Sequence, residues 1–378
     1  MVVAGDTNGR WSTIVTISAG SRRWEDEVRL HWRQMRLLRR TPLRLLPWFQ
    51  PKKLTKLSMI GFARWSLFDR IPTGGPKQQA IPLARPFLLF ETNYNGDRDH
   101  YFESFSYVVP NAMNRVWLKA YGVPDARRVS EWQRHVKDNM LPIECYYSAY
   151  PDASTKTIRS ALELDNMLAD FRPRAGSMTA ERFAAEFAAL LGRVQRINDP
   201  KTRTRGRTGS LTTLIPVAEC RRQELRQALQ SLTEPPSPVP AATHFARWCV
   251  VDRLKMPSRY GSDPTSYLLF SAWFDGEAQD YAGALHERMG AERAEAIWAH
   301  CGFGGGGPES FSDYLMKHRV EAGSDFSGYE GVSVSEVHAA LAQWESFHSF
   351  ASHSQSPALN AANLLTTWTN EPLLGQAT

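Results

Sequence analysis

Residues 62–70 read FARWSLFDR, and residues 245–253 repeat that stretch as FARWCVVDR. Six of the nine positions are identical, at an offset of 183 residues. Further matches follow in the same order: LLF at 88–90 with 268–270, YNGD at 94–97 with FDGE at 274–277, VW at 116–117 with IW at 297–298, and SAY at 148–150 with SGY at 327–329. Such collinear matches predict an internal duplication with a unit of roughly 180 residues.

Each half of the chain reads as the element order β-α-β-β-α-β. In the second half these are a strand at 211–217, a helix at 221–232, strands at 244–251 and 267–274, helices at 280–300 and 310–318, and a short strand at 325–329. In the first half they include a strand at 12–18, a helix at 24–38 and a last strand at 145–150. A closing helix at 334–350 begins with Ser333 and Glu336, which are spaced as a capping box.

The predicted fold class is therefore α+β: tandem duplicated ferredoxin-like (βαββαβ) units that form a fused dimeric α/β barrel. The first repeat spans 1–199 with a basic insertion at 39–57, a linker covers 200–210, and the second repeat spans 211–378. Two such units can pack sheet against sheet, and the faces away from the helices then enclose a space. That space is the expected ligand site.

Composition indicates a folded, cytoplasmic protein. The 378 residues are 42% hydrophobic and 22% charged, which is ordinary for a globular chain. No run approaches the roughly 20 apolar residues that span a bilayer, and residues 1–9 lack the pattern of a secretory signal. The four cysteines, Cys145, Cys220, Cys249 and Cys301, form no C-x-x-C motif and fit a reducing compartment.

The basic character of the chain is local. Residues 21–57 hold 11 Lys/Arg and 3 Asp/Glu, a net charge of +8, whereas the whole chain carries +6. The part at 39–57 has no counterpart in the second half and mixes cations with Leu, Trp and three prolines. It suits peripheral contact with a membrane, docking to an acidic protein, or a solvated loop stiffened by proline. Nucleic acid is not an expected partner, because the repeats carry no comparable basic excess.

The repeated F-A-R-W-x-x-x-D-R strand, the L-L-F strand that ends in N-Y-N-G-D or W-F-D-G-E, and the V-W or I-W helix end resemble one set of proteins. These are the bacterial proteins related to DyP-type peroxidases, within the dimeric α/β-barrel superfamily that includes chlorite dismutase-like haem proteins. The resemblance covers nearly the whole chain and implies a haem cofactor. The G-x-x-D-G motif of the distal aspartate is incomplete here, because Ala272 replaces its leading glycine.

A haem pocket needs an axial ligand, usually a neutral histidine. His300 and His318 have no histidine counterpart in the first half, where Lys119 and Asn139 align, and either is a candidate iron ligand. His244, where the first half has Gly61, is a third candidate. The alternative for His300 and His318 is a surface or helix-capping histidine, which the helix dipole favours near a C-terminus.

Arg64 and Arg247 occupy equivalent positions in the repeated strand, and a charged residue within an apolar strand must be paired or line a cavity. Both are candidate catalytic residues, and the alternative is a structural ion pair with Asp69 or Asp252. Asp275 is a candidate distal acid that would shuttle a proton, and its alternative is a turn or helix N-cap.

Three functional hypotheses follow. The first is a haem-dependent, peroxidase-like oxidoreductase that acts on peroxide or a small organic, lipid-derived substrate. The second is a non-haem barrel that binds a small molecule or serves as a scaffold. The third is a cofactor-free biosynthetic barrel enzyme that uses Arg64 and Arg247 on a bound acid. Fold alone does not separate them.

Overall fold

The computed structural model describes residues 11–19, 58–72, 80–117, 122–197, 208–233, 237–255, 265–321, 324–355 and 360–371. The chain forms two compact units, one from Met1–Asp152 and Arg207–Gly328, the other from Ala153–Gly206 and Tyr329–Thr378. These compact units do not test the predicted repeats at 1–199 and 211–378, which were defined by sequence similarity. The two repeats therefore stay a prediction. Among the described helices, none has the length and apolar character needed to cross a bilayer.

The first unit contains two antiparallel sheets of four strands each, which confirms a mixed α+β architecture. The strands are β1 (Trp11–Ala19), β2 (Ile60–Ile71), β3 (Ile81–Asn95), β4 (Cys145–Ser148), β5 (Thr208–Pro216), β6 (Thr243–Val251), β7 (Tyr267–Asp275) and β8 (Ser324–Ser327). The first sheet has the order β1-β3-β2-β8 and the second β4-β6-β7-β5. The short strands β4 and β8 are therefore exchanged, each pairing with the sheet of the other half.

The described helices are α1 (Arg98–Val108), α2 (Pro110–Trp117), α3 (Val129–Asn139), α4 (Thr155–Ala175), α5 (Ala180–Val194), α6 (Arg222–Ser231), α7 (Ala278–Met289), α8 (Ala291–Trp298), α9 (Pro308–Lys317), α10 (Val334–Ser354) and α11 (Ala361–Asn370). The predicted helix at 280–300 is in fact α7, α8 and a 3-10 turn at Ala299–Cys301. The break falls at Gly290, which has a φ of 84°. Glycine adopts such a positive φ readily, whereas other residues are strained there. The capping box of Ser333 and Glu336 is confirmed at the start of α10.

The second unit contains α4, α5, α10 and α11. The sequence pattern predicts only α10 among them. The core of this unit is aromatic, with Phe183, Phe187 and Trp368 in mutual contact. The predicted helix at 24–38, the insertion at 39–57 and residues 200–207 of the predicted linker lie outside the described residues. Contact of 39–57 with a membrane or an acidic protein therefore stays a prediction.

Strand alternation separates two kinds of core in the first unit. Side chains such as Trp248 and Phe270 face the helices and pack against Trp298. The opposite faces of the two sheets meet each other, with Leu89 of β3 and Leu269 of β7 in one apolar cluster. Because successive side chains of a strand point to opposite faces, Phe245, Arg247 and Cys249 all fall on this inner face.

Gly209 lets β5 and the end of β7 approach closely. A Cβ atom on Gly209 would lie 2.3 Å from the carbonyl oxygen of Gly276 and 2.5 Å from the ring of Phe274. We expect Gly209→Ala to lower the free energy of unfolding by about 1–3 kcal/mol, as overpacking does. Gly304→Ala is the control, since a Cβ there meets nothing within 4 Å. The midpoint of urea denaturation measures the stability of each variant. Equal midpoints for Gly209→Ala and Gly304→Ala would contradict the close approach of the two strands.

Candidate active site between the two sheets

Polar side chains form two facing rows on the inner faces of the sheets. The first sheet's register aligns Asp325, Arg64, Glu91 and Val15, one from each strand. The second sheet's register aligns Tyr146, Arg247, Ser271 and Thr212. Residues directly opposite on neighbouring strands share a face of the sheet. Each arginine thus occupies the same place in its row, but its neighbour on the exchanged strand differs.

Arg64 is fully buried and well partnered. Its Nε donates to Oδ1 of Asp325 at 2.9 Å, and its two Nη atoms donate to the hydroxyls of Thr212 and Ser210 on the other sheet. The ion pair predicted with Asp69 is wrong, because Asp69 is exposed and pairs with Arg70 at 3.2 Å. Asp69 lies at a register shift of β2 between Phe68 and Arg70, on the exposed part of the strand.

Arg247 is equally buried but incompletely partnered. Its Nη2 donates to Oδ1 of Asn93 at 2.8 Å, and its Cζ lies 4.8 Å from the ring centroid of Trp273. Its Nε and Nη1 have no hydrogen-bond partner within the described part of the chain. Asp252, the predicted partner, pairs instead with Arg226 at 2.9 Å. A buried donor on a charged group that lacks a hydrogen-bond partner costs free energy, so Arg247 is a candidate binding residue.

Glu91 is the acid that faces Arg247. It is fully buried, and its Oε2 accepts from the Thr212 hydroxyl at 2.8 Å, while its Oε1 has no partner within the described residues. Burial lowers the pKa of Arg247, and the negative charge of Glu91 partly opposes that shift. The described groups contain no ion pair within 4.0 Å between these two side chains, so their charges interact without direct contact.

A β-bulge aims His244 into the space between the sheets. Thr243 pairs with Phe274 and Phe245 pairs with Trp273, which leaves His244 as the extra residue of β6. A bulge re-aims side chains and is common near active sites. The His244 ring accordingly lies 5.3 Å from the ring of Phe62 on the first sheet.

His244 links two other groups into a hydrogen-bonded relay. Its Nδ1 lies 2.6 Å from the hydroxyl of Tyr150, and its Nε2 lies 3.0 Å from Oδ1 of Asp275. A carboxylate only accepts hydrogen bonds, so Nε2 donates to Asp275, and in the neutral tautomer that this requires Nδ1 accepts from Tyr150. Burial raises the pKa of Tyr150, and the charge of Asp275 raises it further, which keeps the hydroxyl protonated at rest.

The relay has no equivalent at the matching positions of the first half. There the bulge residue is Gly61, between the pairs Ile60–Tyr94 and Phe62–Asn93. Asn95 stands where the second half has Asp275. The N-cap alternative for Asp275 is wrong, because α7 takes Glu277 as its N-cap residue. Asp275 is instead the partly exposed end of the relay, with 28% of its side chain accessible.

An aromatic wall joins the relay to the arginines. Phe62 contacts His244, and its ring centroid lies 6.0 Å from that of Trp273. Trp273 in turn lies beneath both guanidinium groups, at 4.8 Å from Arg247 and 5.8 Å from Arg64. Phe62 and Trp273 therefore connect the open nitrogens of Arg247 to the relay through ring contacts.

His300 and His318 lie apart from this group. His300 is in the 3-10 turn after α8, with Nδ1 3.9 Å from Oε2 of Glu224. His318 ends α9, its Nδ1 is 2.8 Å from the carbonyl oxygen of Tyr314, and burial lowers its pKa. The structure thus brings together Arg64, Arg247, Asp275 and His244 of the predicted site residues, but not these two histidines.

These residues do not fit a haem between the sheets. Both ring nitrogens of His244 are engaged in the relay, so neither is free for iron in this arrangement. The contacts Arg247–Asn93 and Thr212–Glu91 join the two sheets directly, and a macrocycle between them would have to break both. The described residues also contain no cluster of three or more potential metal ligands.

Sequence reasoning missed Tyr150, Glu91 and Asn93. Glu91 and Asn93 could have been found from the strand FLLFETN. Every second residue of a strand lies on the same face, so Glu91 and Asn93 share a face with Leu89 and are its polar residues. Tyr150 lay within a repeat match, but nothing in its sequence context distinguished a relay hydroxyl from a core tyrosine.

Comparisons with known proteins add little. No family model matches the chain, and no curated protein matches it. One solved structure among the matches, "Putative monooxygenase" from Fusobacterium nucleatum subsp. nucleatum ATCC 25586, is 7% identical and covers 86% of this chain and 97% of its own, with a TM-score of 0.26. That score is too low to support an inference about fold or activity.

The lowered pKa of His318 predicts a pH dependence of stability. Folding favours the neutral ring, so protonation opposes the folded state, and the contribution is complete above the unfolded pKa of about 6.5 and is lost as pH falls below it. We expect the unfolding free energy to fall between pH 7 and pH 5, and His318→Gln to reduce that slope. The exposed His353→Gln is the control. An unchanged slope in His318→Gln would contradict the buried neutral state.

Proposed function

We propose that the protein is an enzyme that binds a small oxygen-bearing organic molecule between its two sheets and transfers a proton to or from it. The observation that carries the proposal is the Tyr150–His244–Asp275 relay, buried at one end and open to solvent at Asp275. A hydroxyl, an imidazole and a carboxylate in this order form a recurrent catalytic arrangement, in which the histidine removes the hydroxyl proton.

The reaction would begin with the substrate oxygen accepting hydrogen bonds from Nε and Nη1 of Arg247. The Tyr150 oxygen then takes the substrate proton while its own proton passes to Nδ1 of His244. Asp275 stabilises the imidazolium that forms, and its partial exposure lets the proton equilibrate with water. Arg247 stabilises the negative charge that the substrate oxygen gains, which is worth most in a site without water. This scheme shares the absence of a cofactor and the use of Arg247 with the third hypothesis, but it gives Arg64 a structural role and requires no bound acid.

Deuterium exchange tests the proposal without a known natural substrate. We expect the protein in D2O to speed exchange of the acidic C–H protons of hydroxyacetone, pyruvate or acetylacetone, followed by proton NMR. A positioned general base contributes typically 10²–10⁴-fold. Tyr150→Phe and His244→Gln should each remove the acceleration, whereas Tyr107→Phe, at an exposed position, should not. Exchange at the buffer rate with every compound would overturn the proposal.

The fused ferredoxin-like barrel is part of the same proposal. Its support is that matched residues occupy matching places: Tyr94 stacks on Tyr101 at 4.2 Å, and Phe274 stacks on Tyr281 at 3.8 Å. The hydroxyls of Tyr101 and Tyr281 each lie near a strand threonine, at 2.6 Å from Thr92 and 3.1 Å from Thr243. A duplicated origin explains why one half holds a relay where the other holds Gly61 and Asn95.

A haem-dependent peroxidase related to the DyP type is the second candidate. One observation favours it: Nδ1 of His318 lies 2.8 Å from a backbone carbonyl, as in many metal-ligating histidines, which leaves Nε2 for a metal. A bound haem would supply redox chemistry that the chain's own side chains lack.

Titration with hemin separates the two candidates. We expect no saturable Soret band, because a macrocycle between the sheets would have to break the contacts Thr212–Glu91 and Arg247–Asn93, and both ring nitrogens of His244 are engaged. A stoichiometric band in the wild type that disappears in His318→Ala would favour the peroxidase instead. His353→Ala is the matched control for loss of an exposed histidine.

A further inference from the structure

The groups around Arg247 specify more than the presence of a ligand. Three buried donor atoms lack partners within the described residues: Nε and Nη1 of Arg247 and Nδ2 of Asn93. One buried acceptor, Oε1 of Glu91, also lacks a partner there. The hydroxyls of Tyr146 and Ser271, which flank Arg247 in its row, are likewise unpartnered and can act in either role. A ligand that satisfies this set must both accept and donate.

The charge of the site sets the charge of its ligand. Asp325 balances Arg64 by direct contact, and Glu91 is the remaining buried acid near Arg247. The four charges sum to zero. A carboxylate on Arg247 would add an uncompensated negative charge close to Glu91, and like charges in a buried site are strongly disfavoured. A neutral molecule adds no such cost.

We infer that this site takes a neutral hydroxycarbonyl compound, a hydroxyketone or hydroxyaldehyde, rather than a carboxylate. Its carbonyl oxygen accepts from Nε and Nη1 of Arg247, and its hydroxyl donates to Oε1 of Glu91. The inference rests on the proposed function for the location of the site but not on the proton transfer. It also narrows the proposed chemistry, because the proton beside such a carbonyl is an acidic one.

The exchanged strands explain why Nε is open in Arg247 but not in Arg64. On β8, Asp325 lies beside Arg64 and occupies its Nε. On β4, the corresponding neighbour of Arg247 is Tyr146, a neutral residue whose hydroxyl is unpartnered among the described groups. At the exchanged strand the rows differ by an aspartate and a tyrosine, and this difference leaves Nε of Arg247 open. Nη1 of Arg247 is open as well, because within the described residues it meets no hydroxyls like those of Thr212 and Ser210 that Arg64 contacts.

Saturation-transfer NMR tests the inference with four probes of matched size: hydroxyacetone, acetone, propane-1,2-diol and lactate. We expect hydroxyacetone to bind the wild-type protein at least about tenfold more tightly than lactate, a difference of 1.4 kcal/mol. Acetone lacks the donor and the diol lacks the carbonyl, so both should bind more weakly than hydroxyacetone. This ranking needs no variant and so does not depend on any variant folding.

Two variants examine the roles of the charges. Arg247→Gln should lose hydroxyacetone binding, and Glu91→Gln should improve lactate binding relative to hydroxyacetone, because it removes the negative charge. Arg182→Gln and Glu181→Gln, at exposed positions of α5, are the matched controls and should keep the wild-type ranking. Circular dichroism checks that each variant is folded.

Each result has a defined meaning. Lactate binding the wild type more tightly than hydroxyacetone would overturn the inference in favour of a carboxylate site. Saturation transfer to none of the four probes would also overturn it, and would assign the unpartnered atoms to water. Binding of hydroxyacetone without deuterium exchange would contradict only the proposed proton transfer. Exchange without a preference for hydroxyacetone would contradict only this inference.

Discussion

Two guanidinium groups are buried between the sheets, and the inner faces are arranged around the need to compensate them. Transfer of an ion out of water costs several kcal/mol even after relaxation, so each arginine requires partners within reach. Arg64 meets this requirement with hydrogen bonds to three side chains, two of them on the opposite sheet. The same bonds fix the distance and the register between the sheets. Structural compensation of one arginine thereby defines the space around the other.

The exchange of β4 and β8 accounts for part of the difference between the two arginines. Each arginine lies on the second strand of its half, where the sheet receives its fourth strand from the other half. The side chain that arrives beside Arg64 is an aspartate, and the one beside Arg247 is a tyrosine. If the strands were not exchanged, the residue beside each arginine would come from the same half of the chain as the arginine itself. The aspartate and tyrosine on the two short strands account for the open Nε of Arg247, and the hydroxyls of Thr212 and Ser210, which contact Arg64 alone, account for its open Nη1.

Much of this arrangement could be predicted from the sequence. The apolar strands around Arg64 and Arg247 predict that each is paired or lines a cavity, and the repeat indicates that their positions are equivalent. Their partners could not be predicted, because the partner of Arg64 is 261 residues away on an exchanged strand of four residues. Local patterns contain no information about which sheet such a short strand joins. The helix at 280–300 was divided for a more local reason, the positive φ of Gly290.

His244 shows most clearly where sequence periodicity fails. By alternation His244 and Phe245 should point to opposite faces, yet the bulge places the His244 ring beside Phe62 on the inner side. The first half has the same bulge with Gly61, so the backbone irregularity itself is shared by both halves. The bulge residue is glycine in one half and histidine in the other, while the strand pairing on either side is the same. A histidine at this position therefore adds a side chain to the inner face without changing the pairing of the strands. The histidine then needs only Asp275 and Tyr150 at the neighbouring strand ends to become a relay, and the structure provides both within 3.0 Å.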